Sequence, residues 1–216
     1  MIAIVDYGRG NLFSLAHALH HVGAESQPVD EGSALAAAKA IILPGVGAFA
    51  DAMTALRERG FVEPLRQAVA AGTPLLGICL GMQVLAETGD EFGSHDGLGL
   101  IPGAVRRLPA PAGRGGTRIP NVGWRQIDCR RNDPLLEAGS YYFVHSYAFY
   151  PAAEDDLVAT IPVNGSDAPA VVRRGSAIGC QFHPERSGPL GLRLLARFAA
   201  AAEENMNERE NCNVGG

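Results

Sequence analysis

Short apolar runs alternate with helix-like periodicity through the first 80 residues. IAIV (2–5) reads as a strand buried on both faces. Asn11 can cap a helix that carries Leu12, Leu15, Leu19 and Val22 on one face. A second strand is expected near 25–29 and a third at AIIL (40–43), broken by Pro44-Gly45. Residues 61–71 are expected to be helical, stopped by Gly72 and then Thr73-Pro74. PLLGIC (74–79) supplies a fourth strand, and 80–88 a helix ending near Gly89. Continuous apolar strands separated by helices predict an α/β fold with a mostly parallel central sheet and flanking helices. Such sheets present functional groups at the carboxyl ends of their strands. Cys79 lies at one such end, and Pro44-Gly45-Val46-Gly47 at another.

The pattern then changes. Between 101 and 181 the chain has short strand-like runs (AVRRL, YYFVHSY, LVAT, AVVRR, AIGCQF) with little helical period. They predict an antiparallel β layer beside or continuing the main sheet. GRGGTR (113–118) reads as a loop. Leu190, Leu194 and Phe198, with Leu195 alongside, mark a last helix over 189–201. The tail EENMNERENCNVGG is polar and expected to fray. No repeat or linker divides the chain, so residues 1–203 are expected to form one domain, with 204–216 as a flexible tail.

Composition narrows the function classes. With 216 residues, 47% of them apolar, the chain can bury a core without disulfide staples. Its net charge of −5 is spread without a basic stripe, which argues against nucleic-acid binding. The start, MIAIVDYGRGN, lacks the charged region of a signal peptide, and no apolar run approaches the roughly 18 residues of a membrane span. Cys79, Cys129, Cys180 and Cys212 show no paired spacing, so neither a zinc knuckle nor a redox dithiol is indicated, and a reduced, cytoplasmic setting is expected. GRGN (8–11) lacks the third glycine of a dinucleotide fingerprint.

Two segments carry candidate chemistry. In GICLG (77–81) a cysteine sits between glycines where strand hands over to helix. It is either filler in a tight turn or a nucleophile presented by that turn, with backbone N–H groups to favour a thiolate and hold an oxyanion. In AIGCQFHPE the alternation puts Ile178, Cys180 and Phe182 on one face and Gly179, Gln181 and His183 on the other. Pro184 biases His183 to an extended backbone, so that Glu185 can orient its imidazole. A lone HPE would be an ordinary strand end. An elbow cysteine together with a His-x-Glu makes a nucleophile–base–orienter set. Among the other histidines, His17 and His21 are spaced to share a metal but lack a third ligand, His20 and His95 carry no pattern, and His145 reads as core or pocket wall.

GICLGMQ (77–83) with QFHPE (181–185) resembles the triad, or class I, glutamine amidotransferases, over nearly the whole chain. IVDYGRGN (4–11), PGVGAF (44–49), GLGLIPG (97–103), IPNVGW (119–124) and YYFVHSY (141–147) resemble most closely the branch that serves as glutaminase subunit of imidazole glycerol phosphate synthases. The resemblance implies a flavodoxin-like amidotransferase fold, no cofactor and no metal. Cys79 would attack glutamine, His183 would move the proton, and Glu185 would hold His183. Val46 and Leu80 would supply the oxyanion N–H groups. Gly47, Gln83, Glu91, Ser146 and Tyr147 would bind L-glutamine. Ammonia would pass to a (β/α)8 cyclase subunit that makes imidazole glycerol phosphate and AICAR in histidine biosynthesis, and Asn11, Asn121, Trp124, Tyr142 and Arg186 would face that partner. Free glutaminases of this branch are nearly inactive until the partner binds its nucleotide ligand, and Gly45 and Gly47 make a peptide flip of the PGVG turn sterically inexpensive. Arg125, where the branch often has Asn, and a longer 109–117 loop depart from the pattern. The alternatives are a glutaminase serving pyridoxal phosphate, anthranilate or purine biosynthesis, a cysteine hydrolase on the same elbow, and a non-enzymatic flavodoxin-like binding module.

Overall fold

The structure, a computed structural model, describes residues 1–113 and 116–214, with side chains described through residue 204. The first half holds strands β1 (Ile2–Val5), β2 (Ser26–Val29), β3 (Ala40–Leu43) and β4 (Leu75–Ile78). The second half holds β5 (Thr88–Gly89), β6 (His95–Asp96), β7 (Gly103–Arg107), β8 (Asn121–Gln126), β9 (Asp128–Cys129), β10 (Ser140–His145), β11 (Tyr147–Pro151), β12 (Leu157–Val163), β13 (Ser166–Arg174) and β14 (Ala177–Cys180). The helices are α1 (Leu12–His21), α2 (Phe49–Glu58), α3 (Val62–Ala70), α4 (Leu80–Gln83) and α5 (Gly188–Val214).

The main sheet runs β2-β1-β3-β4-β14-β13-β12-β9. Its β2-to-β14 portion is parallel, and β13, β12 and β9 continue it antiparallel. β1, β3, β4 and β14 are buried at every position, as strands covered on both faces must be, whereas the edge strand β2 carries Pro28 and two exposed positions. Alternate side chains feed two cores. Ile2, Ile4, Ile42, Leu76 and Ile178 meet Leu15 and Leu19 of α1 and Leu194, Leu195 and Phe198 of α5. Ala3, Val5, Ile41, Leu43 and Leu75 meet Met53 and Leu56 of α2, Leu65 of α3 and Met82 of α4. Asn11 caps α1, its side-chain oxygen accepting from the Ser14 N–H at 3.2 Å. Two smaller sheets, β10-β8 and β11-β7-β5-β6, complete the β-rich half.

The structure departs from the sequence pattern in several places. α2 was not anticipated, although Phe49, Ala52, Met53 and Leu56 repeat at helical spacing and are all buried. The helix expected over 80–88 stops at Gln83. The carbonyls of Val84, Leu85 and Ala86, which would have carried it on, accept instead from the returning segment Leu98–Ile101. YYFVHSY is divided at Ser146 between β10 and β11, which belong to different sheets. α5 continues to Val214, where the apolar period put its end at 201. Within the 109–117 loop, Arg114 and Gly115 lie outside the described residues.

Candidate active site

β4 ends at Ile78 and α4 begins at Leu80, so Cys79 alone makes the turn between them. It does so with φ 56° and ψ −110°, a left-handed backbone that a non-glycine residue adopts only at a cost of about 1–3 kcal/mol. The flanking glycines explain how so sharp a turn fits. A Cβ on Gly81 would lie 1.7 Å from the Leu43 carbonyl oxygen, and one on Gly77 would lie 2.6 Å from the Gly81 carbonyl. The Cys79 N–H donates to the Cys180 carbonyl at 2.8 Å and ties the elbow to the end of β14.

The chain leaves β14 through Gln181 and Phe182 to His183, which is extended at φ −97° and ψ 101° before the Pro184–Arg186 turn. The His183 N–H donates to the Tyr142 carbonyl at 3.0 Å. The Ser187 hydroxyl donates to the His183 carbonyl at 2.6 Å and accepts from the Tyr142 N–H at 3.0 Å. The imidazole Nδ1 donates to Glu185 Oε1 at 2.9 Å. Nε2 is buried without a well-formed hydrogen bond and is the nitrogen turned to Cys79. Burial disfavours charge on the ring. The Cys79 sulfur and the Glu185 carboxylate outweigh it and raise the His183 pKa to about 10. The three residues that the sequence pattern grouped therefore come together, Glu185 bonded to His183 and His183 sharing one cavity wall with Cys79.

They open on a cavity of about 290 Å³ lined by Val46, Gly47, Cys79, Leu80, Gln83, Glu91, Pro120, Val144, His145, Ser146, Tyr147 and His183. Every residue expected to form the oxyanion hole or bind glutamine reaches this wall. The N–H groups of Val46 and Leu80 make no hydrogen bond within the described chain. Glu91 Oε2 accepts from the Phe49 N–H at 2.8 Å, capping α2 across the loop and leaving Oε1 for a ligand. Beneath the PGVG turn, a Cβ on Gly45 would lie 2.4 Å from the Tyr7 hydroxyl, so only glycine fits there. That hydroxyl is buried without a partner among the described residues.

Gln83, expected at the site, is held by a buried polar network behind the cavity wall that includes Gln181, which the sequence pattern did not assign to the site. Gln181 Nε2 donates to Cys79 Sγ at 3.7 Å. Gln83 Nε2 donates to Gln181 Oε1 at 3.0 Å and to the Tyr147 carbonyl at 2.9 Å. His145 Nδ1 donates to the same carbonyl at 2.8 Å, and its Nε2 faces Asn121 Nδ2 at 2.9 Å. Burial lowers the His145 pKa to about 4, so this imidazole is neutral. The alternation that placed Gln181 on the His183 face was the signal for it. Nothing in the chain marked His145 beyond a pocket wall.

The five residues expected to face a partner separate into two kinds. Trp124 and Tyr142 meet edge to face at 6.2 Å, and the Arg186 guanidinium sits 4.4 Å above the Tyr142 ring, forming one patch near the mouth. Asn11 is exposed at the start of α1. Asn121 is not available to a partner. It is fully buried, holding His145 on one side and accepting from Arg125 Nε at 2.8 Å on the other. Val122 and Val144 add exposed apolar surface to the same β8–β10 face. Among the described residues no group of three or more metal-ligating side chains occurs, and no helix is long and apolar enough to cross a membrane.

Residues 3–202 match the family described as glutamine amidotransferase class-I. An imidazole glycerol phosphate synthase subunit HisH from Desulfitobacterium hafniense is 46% identical over 209 residues, spanning 95% of this chain and 96% of the relative. The HisH of Chloroflexus aurantiacus is 45% identical over 210 residues, spanning 94% and 97%. Among solved structures, a glutamine amidotransferase superposes with a TM-score of 0.73 at 24% identity, covering 94% of this chain and all of that one. The PurLQS structure from Thermotoga maritima gives a TM-score of 0.69 at 23% identity, covering 95% and 97%. These two likenesses bear on the fold alone.

Proposed function

The chain belongs to the class I glutamine amidotransferases, and from that premise we infer that it is the glutaminase subunit of an imidazole glycerol phosphate synthase. The observation that carries the chemistry is the set Cys79, His183 and Glu185, with His183 held at 2.9 Å by Glu185 and sharing with the elbow cysteine the wall of one cavity. Residues 1–203 are taken as one amidotransferase domain, a reading supported by the family match over 3–202.

In the reaction, the Cys79 thiol gives its proton to His183 Nε2, and the thiolate attacks the side-chain amide carbon of L-glutamine. The new C–S bond pushes an electron pair onto the amide oxygen, which faces the N–H groups of Leu80 and Val46. Collapse breaks the C–N bond. The nitrogen leaves with that electron pair, takes the proton from His183 and departs as ammonia, leaving a glutamyl thioester that water hydrolyses to glutamate. Glu185, bonded to Nδ1, keeps the ring oriented and holds that proton until the leaving nitrogen takes it. Gly47, Gln83, Glu91, Ser146 and Tyr147 would hold glutamine, with the free oxygen of Glu91 facing the substrate ammonium. The ammonia passes to the cyclase subunit, which the chain would meet through the Trp124, Tyr142 and Arg186 patch beside Asn11. The setting is cytoplasmic in this account, in keeping with unpaired cysteines.

The test is Cys79→Ala in the assembled complex. Glutamine-dependent synthesis is expected to disappear while synthesis from added ammonia persists. Glutamine turnover retained by that variant overturns the assignment. A chain that gains turnover with a pyridoxal phosphate, anthranilate or purine synthase partner but not with the cyclase belongs to another branch, and one that cleaves activated esters while ignoring glutamine is a cysteine hydrolase. Loss of all three residues without effect would leave only a binding module.

A further inference from the structure

We propose that Gln181 is a catalytic residue whose side-chain N–H donates to the Cys79 sulfur and stabilises its thiolate, with Gln83 locking the amide in the donating orientation. The inference rests on the reading of Cys79 as nucleophile and adds a third group at the sulfur beside His183 and the elbow backbone.

The orientation follows from the partners, without any assumption about the sulfur. The Tyr147 carbonyl can only accept, so Gln83 must present its nitrogen there. The same Gln83 nitrogen lies 3.0 Å from Gln181, so the atom of Gln181 at that contact is its oxygen. The other end of the Gln181 amide, 3.7 Å from Sγ, is then the nitrogen. Flipping either amide would set oxygen against oxygen or nitrogen against nitrogen. The Tyr147 carbonyl is itself held by His145 Nδ1 at 2.8 Å, and His145 by Asn121. Both glutamines are buried, at 0% and 5% exposure, so solvent does not offer the Gln181 N–H a substitute acceptor.

A donor fixed on sulfur discriminates between the two protonation states. A thiol is a weak acceptor and gains little from it, whereas a thiolate gains a charge-assisted bond. A backbone acceptor at the sulfur, the Val144 carbonyl at 3.9 Å, acts in the opposite sense and suits the protonated thiol. Gln181 therefore shifts the balance toward the ion pair with His183. No bond to Gln181 forms or breaks during the reaction. Its contact is strongest while the sulfur is a thiolate and relaxes as charge moves onto the substrate oxygen.

The test is the pH dependence of Cys79 alkylation by iodoacetamide, read by mass spectrometry on the Cys79 peptide, because exposed Cys129 also reacts. Gln181→Leu removes the donor, and Gln181→Glu keeps the acceptor for Gln83 while turning an oxygen toward the sulfur. The Leu variant is expected to raise the midpoint by about one pH unit. Below the midpoint it should slow alkylation only about threefold, because the less acidic thiolate is the better nucleophile. The Glu variant should move the midpoint further the same way. A folded Leu variant with the wild-type midpoint overturns the proposal. Should Gln181 variants not fold, the wild-type chain labelled with 15N-glutamine decides the matter. The Gln181 side-chain amide signals should titrate with the alkylation midpoint and cease to do so in Cys79→Ser, and signals indifferent to that titration overturn the proposal. Alkylation requires neither glutamine nor partner, so a failure here is distinguishable from retained turnover in Cys79→Ala, which would sink the nucleophile assignment instead.

Discussion

The two sides of Cys79 are built in different ways. On one side His183 is fixed at its N–H, its carbonyl and its Nδ1, by Tyr142, Ser187 and Glu185. Gln181 is fixed just as fully through Gln83. On the other side the Pro44–Gly47 turn is packed at Gly45 but open at Val46 and Gly47. Val46 is 45% exposed, Gly47 sits at φ 103°, and neither N–H has a partner among the described residues. The Tyr7 hydroxyl under Gly45 has none either. The difference separates two tasks. The orientation of the His183 ring is set by the folded chain itself. The Val46 N–H at the cavity wall is left unpaired among the described residues, which suits the partner activation implied by the resemblance to these glutaminases.

The largest break in that contrast should come from the fixed side. Glu185→Gln preserves shape but removes the charge that orients and stabilises the imidazolium. Glutamine turnover in the complex is expected to fall on the order of 10³-fold or more, as when the carboxylate of other nucleophile–histidine sets is neutralised. Cys79 alkylation at neutral pH should fall with it. A variant that loses turnover but keeps wild-type alkylation would show that Glu185 acts elsewhere than on His183.

On the side of the turn, Val46→Pro deletes one N–H and leaves the triad untouched. Turnover in the complex should drop by about 3 kcal/mol, or roughly 10²-fold, the usual cost of one oxyanion donor. Cys79 alkylation should be unchanged. A matching fall in alkylation would mean that the turn also governs the sulfur, and the two sides would not be separable.

The same division marks what could be read from the chain alone. β1, β3, β4 and the elbow were legible because local pattern determines them: unbroken apolar runs, then glycines that only a close backbone approach demands. His183 and Glu185 were legible because Pro184 and the period of two fix their directions. Asn121 was placed at a partner-facing surface, but it is buried. Its position depends on a pairing between β8 and β10, whose segments begin some twenty residues apart, and on a polar contact with His145 that no local pattern encodes. The contact between Gln83 and Gln181 was hidden for the same reason, since the two meet only once β14 lies against β4. Helix α4 was overextended because its true end is set by the return of 98–101, a tertiary event.

The smallest expected effect concerns stability and compares the two histidines directly. His145 is neutral in the fold, with a pKa lowered by burial from 6.5 to about 4, against the opposing bond to the Tyr147 carbonyl and with further lowering from His183 and Arg125. Between those values the unfolded chain binds more protons than the folded one. The contribution of His145 is therefore fully present above pH 6.5 and is lost as pH falls toward about 4. His183 has the opposite sign. Burial opposes its charge, but Cys79 and Glu185 raise its pKa to about 10, so its contribution is present below 6.5 and is lost as pH rises through 10. From pH 8 to pH 5 the His145 contribution alone should fall by about 2 kcal/mol. Urea unfolding of His145→Asn should lose most of that acid slope and keep the alkaline decline. An acid slope equal to that of the wild type would show that His145 already carries a proton inside the fold. The neutral ring that holds the Tyr147 carbonyl, and through it Gln83, would then have to be reassigned.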